Sequence, residues 1–408
     1  MRASRTLVAA GAAVAVLAIA LLIGVQLRDR STTAASPSAS PTPSASAATV
    51  VVPSGSGADP TAAAGAGIYN DDFGFIVTDA SPGLNIRKES SSVTPWIGSF
   101  QQQGFAVSPD GTQIAFWRPA SPDQPSEIRI VGAANPQSLS ASSGLSVGER
   151  GGTIIWARDS SAVAYTVITT GQLTGTGASA TKSAIRTFNV RQSSKGPGQV
   201  ILEWNEAGRI IQPIAWDSVA KVLAAGVTGD GGFMTTYVTA RTDGPTDQKQ
   251  FNVSGRVTMG SVKASTDANF VLGVDIDAGF SFWPLADYSA KVTPAETKYG
   301  LTGALWRPGT HQIGFIGPSN QFWLCNVDRN TPLGCGATAF SGVPAGASVR
   351  TFRADGGAVL LAVSAGGGRQ TTYTLVKFVN DLLAAKATGG ERVTFPDVGG
   401  VVASVRLR

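Results

Sequence analysis

The stretch FAVSPDGTQIAFW, Phe105 to Trp117, decides the fold. A short apolar strand runs into Pro109-Asp110-Gly111, and a second apolar strand starts at Gln113. Asp-Gly between two apolar runs is a strong hairpin signal, because both residues tolerate the positive φ of a type I′ turn. A type I′ hairpin is therefore the expectation here. Aligned on Ile114, the core position of the second strand, copies follow at Val163 (WARDSSAVAYTV), Val222 (AWDSVAKVLAAGV, read as one residue shorter) and Val271 (KASTDANFVLGVD). Further copies lie at Ile313 (LWRPGTHQIGFIG), Val359 (TFRADGGAVLLAV) and, least regular, Val401 (TFPDVGGVVASV, Asp397 at the turn).

The intervals between these anchors are 49, 59, 49, 42, 46 and 42 residues. Third strands follow each hairpin at a short remove: EIRIVGA from Glu127, AIRTFNV from Ala184, TTYVTA from Thr235, then SFWPLAD, QFWLCNVD and TYTLVKF. A strand-rich repeat of about 40–50 residues is the signature of propeller blades. The seventh copy stops at Arg408 with two strands drawn, while FGFIVTD from Phe73 and LNIRKE from Leu84 stand unclaimed at the front. If the N-terminal pair completes the last blade, an all-β, seven-bladed β-propeller closes on itself and hides its edges. A six-bladed ring with irregular ends is the alternative.

Composition agrees. Charged residues make up only 14% against an ordinary ~25%, and Gly is 49 of 408, which suits a many-turned β protein. The net charge is +5, of which +2 falls before Ile68, and no basic run exists. Nucleic acid is excluded as a partner on that ground.

Leu7 to Val25 is an uncharged run of 19 residues, preceded by Arg2 and Arg5 and followed by Arg28 and Arg30. It is long enough to cross a bilayer as a single transmembrane helix and longer than the apolar core of a cleaved signal. Residues 1–30 are therefore read as a membrane anchor, with a cleavable signal as the alternative given the small residues of TTAASPSAS. Residues 31–67 form a Ser/Pro/Ala linker too poor in apolar side chains to build a core. Residues 68–408 are the propeller, placed in the periplasm or outside the cell, single-pass at the cell membrane. Cys325 and Cys335 flank a turn-rich segment, and a disulfide between them fits an exported domain; two unpaired thiols are the alternative.

The SPDGTQIAF block and its degenerate copies resemble the repeat of TolB-like bacterial β-propellers, relatives of the Trp-Asp-repeat propellers. The resemblance is sharpest at Ser108–Phe116 and covers about Ile68 to Arg408. It implies a propeller that serves as an extracytoplasmic binding or scaffolding module, although some such domains carry or flank enzymes.

The search for chemistry is thin. His311, the single histidine, lies in a turn and reads as a solvated residue. Gly144-Leu145-Ser146-Val147-Gly148 matches the nucleophile-elbow string, but that motif needs a strand–turn–helix setting, and this one falls between blades. No catalytic residue and no cofactor is assigned. Asp275 and Asp277, two apart on a strand, are weak metal candidates, and solvated turn carboxylates are the simpler reading. Trp156, Trp216 and Trp306 share one position before their turns, as do Val107 and Phe352, which points to packing between sheets. Trp96, Trp117 and Trp283 are less regular and stand as candidates for a sticky surface. The longest interval holds the Gly/Thr insertion Thr169 to Ala184, with Thr174 and Thr176, expected to project as a loop. The expected function is a membrane-tethered, non-enzymatic module binding a protein or a cell-wall polymer through its loops. The alternative is an extracellular carbohydrate-active hydrolase or lyase with a carboxylate or metal site at the channel, marked by acids from several blades converging at one end.

Overall fold

Asp110 builds the founding hairpin as a hydrogen-bond acceptor. In the computed structural model, its Oδ1 accepts from the Ser108 hydroxyl at 2.6 Å and from the Thr112 backbone N–H and hydroxyl at 3.0 and 2.9 Å. Ser108 Oγ in turn accepts from Gln113 N at 2.9 Å. The structure describes residues 70–408 apart from short connections, the longest being 95–103, 171–179, 294–302 and 379–386.

The turn is not the expected type I′. The Gly111 N–H donates to the Ser108 carbonyl at 2.8 Å, which makes Pro109 and Asp110 the central residues. Proline is fixed near φ −65° and cannot take the positive angle that type I′ demands at that place. Only Gly111 has positive φ, +77°, as the turn passes into the second strand. Ser160, Ala268 and Gly356 occupy the matching place in other copies, at +57°, +56° and +71°. In the third copy Leu223, not Val222, lies opposite Trp216, so that hairpin has the ordinary length. Asp217 there stands where Ser108 stands, and it accepts from the N–H groups of Val219 and Ala220.

Seven sheets result. Blade 1 is Phe105–Val107, Gln113–Arg118, Glu127–Gly132 and Leu139–Gly144. Blade 2 is Glu149–Trp156, Ala162–Thr170, Ala180–Asn189 and Gln199–Trp204, and blade 3 is Ile210–Asp217, Val222–Thr228, Met234–Arg241 and Lys249–Asn252. Blade 4 has three named strands, Lys263–Ala264, Phe270–Asp275 and Gly279–Pro284, with a bridge from Phe282 to Val292 at the outer edge. Blade 5 is Leu305–Trp306, Gln312–Ile316, Phe322–Asn326 and Gly334–Ala337; blade 6 is Ser348–Phe352, Ala358–Ser364, Thr371–Phe378 and Ala387–Val393.

Blade 7 joins the ends of the domain in the order Val398–Arg406, Phe73–Asp79, Leu84–Lys88, Val93–Thr94. One strand comes from the C-terminal side and three from the N-terminal side, not two and two. Val401 therefore sits on the innermost strand opposite Val77, and Phe75, opposite Ser404, fills the place Ile114 fills in blade 1. The seventh copy is irregular because its second strand lies more than 300 residues away in the chain.

The core is divided into seven layers, each between two neighbouring blades. Phe75 and Val77 of blade 7 pack on Leu360 and Leu375 of blade 6, while Ile76 and Ile86 on the opposite face pack on Ile114 and Phe116 of blade 1. Strand alternation, with both faces apolar, produces this: odd and even residues of one strand serve two different layers. Among the described residues no helix is long and apolar enough to cross a membrane; Leu7–Val25 and the linker lie outside the described residues.

The segment Thr169–Ala184 is less of a loop than expected. Ala180 pairs with Thr170 and Lys182 with Thr169, so both ends belong to blade 2. Thr174 and Thr176 lie outside the described residues, as does Trp96.

Candidate functional site: the central channel

The innermost strands of all seven blades line one cavity of about 450 Å³. Two rings of side chains border it. The first consists of the residues aligned with Trp156: Val107, Trp216, Ala264, Trp306, Phe352 and Ser404 in the other blades. The second consists of the residues just before these. Ala106, Ile155, Ala215, Leu305 and Ala403 are apolar, Thr351 is polar, and Lys263 alone carries a charge.

The three tryptophans of the first ring are held differently. Trp156 Nε1 donates to the Ala106 carbonyl and Trp306 Nε1 to the Lys263 carbonyl, each at 3.0 Å and each reaching one blade back. Trp216 does not repeat this. Its Nε1 is buried and has no acceptor, while its carbonyl accepts from Arg158 N at 3.0 Å and pulls the two inner strands together. The shared position was legible as packing; the departure at Trp216 was not, because it arises from backbone pairing between blades.

Lys263 has solvent-accessible surface, yet the surrounding protein desolvates it and lowers its ammonium pKa, with no carboxylate acting on it in the opposite sense. The two facts are compatible for a side chain that faces a channel rather than bulk water. No sequence signal separated Lys263 from other surface lysines.

At the turn side, a second cavity of about 530 Å³ is bordered by Asp110, Asp159, Asp267 and Asp355 from four blades, with Arg158 and Arg406. These acids do converge at one end of the channel. Each is engaged by hydrogen-bond donors, chiefly of its own turn, however. Desolvation works to raise Asp355, but Arg353 Nε and Nη2 at 2.8 and 2.9 Å and the Gly357 N–H hold it below the ordinary carboxylate range. Asp110 is held down against desolvation by Ser108 and Thr112, Asp159 by Ser161, and Asp267 by Ser265 and then His311. A carboxyl kept ionised in this way is unsuited to general-acid work near neutrality.

His311 is no solvated bystander: its Nε2 contacts Asp267 Oδ2 across blades 4 and 5. Asp267 also takes the Ser265 hydroxyl at 2.7 Å, so the carboxylate stands between hydroxyl and imidazole. Nucleophilic catalysis needs the base against the nucleophile, which this order prevents. Ser146, in the elbow-like string, caps the connection between blades 1 and 2 through Glu149, with no helix following.

Trp117 and Trp283 are placed in the core rather than on a surface. Trp117 is 5% exposed, donates to Gly152 O at 2.6 Å and stands edge-on to Tyr165. Trp283 is fully buried between Tyr237 and Tyr288. Asp275 is buried and accepts from the Arg256 and Asp277 N–H groups, while Asp277 is exposed and forms an ion pair with Arg256. Among the described residues no three ligating side chains form a metal-sized group. Backbone register sets Cys325 directly opposite Cys335 in blade 5.

No family model and no curated protein matches the chain. Solved propellers do. A chain of the mitotic checkpoint complex is 10% identical over 73% of this chain and 82% of that one, with a TM-score of 0.44. The Swd1 β-propeller domain of Myceliophteria thermophila is 9% identical over 74% and 88%, with a TM-score of 0.42. Prolyl oligopeptidase B of Galerina marginata is 13% identical over 74% of this chain but only 42% of its own, with a TM-score of 0.46. Likeness at this level concerns the fold alone, and the neighbours include an enzyme.

Proposed function

We propose that the chain is a membrane-tethered, extracytoplasmic binding or scaffolding module whose propeller engages a protein or wall polymer through its inter-strand loops. The TolB-like resemblance, the apolar Leu7–Val25 run and the Ser/Pro linker support the placement. One observation carries the choice of binding over catalysis. The channel-mouth carboxylates of four blades accept hydrogen bonds from their own turns, Asp267 also contacting His311, and are held ionised, which suits building the ring better than general-acid work. The same reading takes Cys325 and Cys335 as a disulfide suited to an oxidising compartment.

The second reading, a carbohydrate-active hydrolase or lyase, draws on that same convergence of acids at one mouth. Cross-linking of the tethered chain in its native envelope, followed by mass spectrometry, separates the two. Recurrent capture of one protein or of wall glycan through loop residues is the expected result. Turnover of wall glycan by the purified chain, abolished in Asp110→Asn or Asp355→Asn, would overturn the binding reading.

A further inference from the structure

We propose that the central channel itself is a binding site for a small organic monoanion, a carboxylate on a flat apolar body, held by Lys263 and Trp216. This site is separate from the loop surface proposed above.

Three observations carry it. First, Lys263 and Arg158 are the charged residues that border the cavity, no Asp or Glu borders it, and Arg158 already faces Asp217 at 3.5 Å, which leaves Lys263 as the cation for an incoming anion. Second, the neighbouring blade sets Trp216 on the border of the same cavity, giving an anion with a flat apolar body an aromatic wall beside Lys263. Third, Trp156, Trp306, Phe352 and aliphatic side chains make up much of the remaining border, among a few Ser and Thr, and offer faces for a flat apolar body. A volume of about 450 Å³ lies in the range of small-molecule sites, on the order of 300–1,000 Å³.

The test uses the full chain in detergent, titrated with benzoate, neutral benzamide and cationic benzylamine at constant ionic strength, read by tryptophan fluorescence and calorimetry. Benzoate should bind saturably and at least about ten-fold more tightly than the other two. Lys263→Met should lose that preference, Lys263→Arg should keep it within a few-fold, and Trp216→Phe should weaken benzoate a few-fold. Benzoate no tighter than benzamide, or undiminished in Lys263→Met, would overturn the proposal. Should Lys263→Met fail to fold, chemical modification of the wild-type chain replaces it: benzoate should protect Lys263 from trinitrobenzenesulfonate and benzamide should not, and equal reactivity with either would overturn the site. Because Lys263 lies in the channel, capture of an envelope partner by the loops should be unchanged in Lys263→Arg, so the two proposals fail separately.

Discussion

The Glu89 carboxylate lies 3.8 Å from Arg353 Nη1, inside the seam where the two-ended blade 7 meets blade 6. Arg353 also grips Asp355 and covers the Phe73 ring at 4.8 Å. A side chain near the domain's first strand and one from its last complete blade thus meet in a buried network. Ring closure depends on this seam, and its charge state depends on pH.

Burial pushes Glu89 up to about 7 from 4.5; the Asn70 N–H and Arg353 offset only part of the penalty. A raised carboxyl means that the folded chain holds its proton where the unfolded chain has released it. The contribution is full below about pH 4.5 and is lost as pH rises through about 7. Wild-type stability should therefore fall by about 3 kcal/mol or less across that window. Glu89→Gln should remove the slope and be the more stable protein at pH 8. Denaturant melts at pH 5 and pH 8 check this, and equal slopes in the two proteins would refute it. The depressed aspartates titrate below the window and do not mask it.

The turn aspartates should differ among themselves. Asp110→Ala removes an acceptor of three bonds at an exposed tip and should cost about 1–2 kcal/mol. Asp355→Ala leaves the buried Arg353 with only the more distant Glu89, and should cost more, about 2–4 kcal/mol. Asp110→Asn should recover most of its loss, since one amide oxygen can accept the same bonds. Equilibrium melts of the three variants settle the order.

Closure of the ring should be visible in cooperativity. Phe75 is fully buried between blades 6 and 7, and Phe75→Ala should cost about 3–5 kcal/mol. Truncation after Val393 removes the innermost strand of blade 7 and uncovers the edge of Phe73–Asp79 along its whole length. That chain should lose its single cooperative transition. A truncated protein melting as sharply as the full one would contradict the closed ring.

The repeat was legible because a tight polar turn of SPDG type, in degenerate copies, followed by an apolar second strand is a local feature, repeated six times within single hairpins. Blade 7 was only half legible: its strands are separated in sequence, and no local pattern marks Val398–Arg406 as the partner of Phe73–Asp79. The turn type was not legible, because Asp110-Gly111 as the central pair leaves Pro109 outside it; only the Gly111 N–H bond to the Ser108 carbonyl moves Pro109 into a central place, where its fixed φ excludes type I′. The channel was illegible for a different reason. Lys263 and Trp216 become notable only when seven inner strands stand side by side, and nothing in either stretch distinguishes them beforehand. Trp117 and Trp283 look irregular in sequence because their aromatic partners, Tyr165, Tyr237 and Tyr288, come from other strands.

Blade 5 offers the last test. Cys325 is buried and its backbone faces Cys335 across the pair formed by Phe322–Asn326 and Gly334–Ala337. Directly opposed residues in an antiparallel pair have Cα atoms about 4.5–5.5 Å apart, inside the span that a disulfide bridges. The proposed bond closes only a short loop, so its contribution should be modest, about 2–3 kcal/mol. Protein collected from the cell envelope should show no reactive thiol when denatured without reductant and two after reduction. The double variant Cys325→Ala, Cys335→Ala should unfold at lower denaturant but remain folded at neutral pH, because seven inter-blade layers hold the ring independently of this link. Two reactive thiols before reduction would refute the bond and remove one support for export, while leaving the fold untouched.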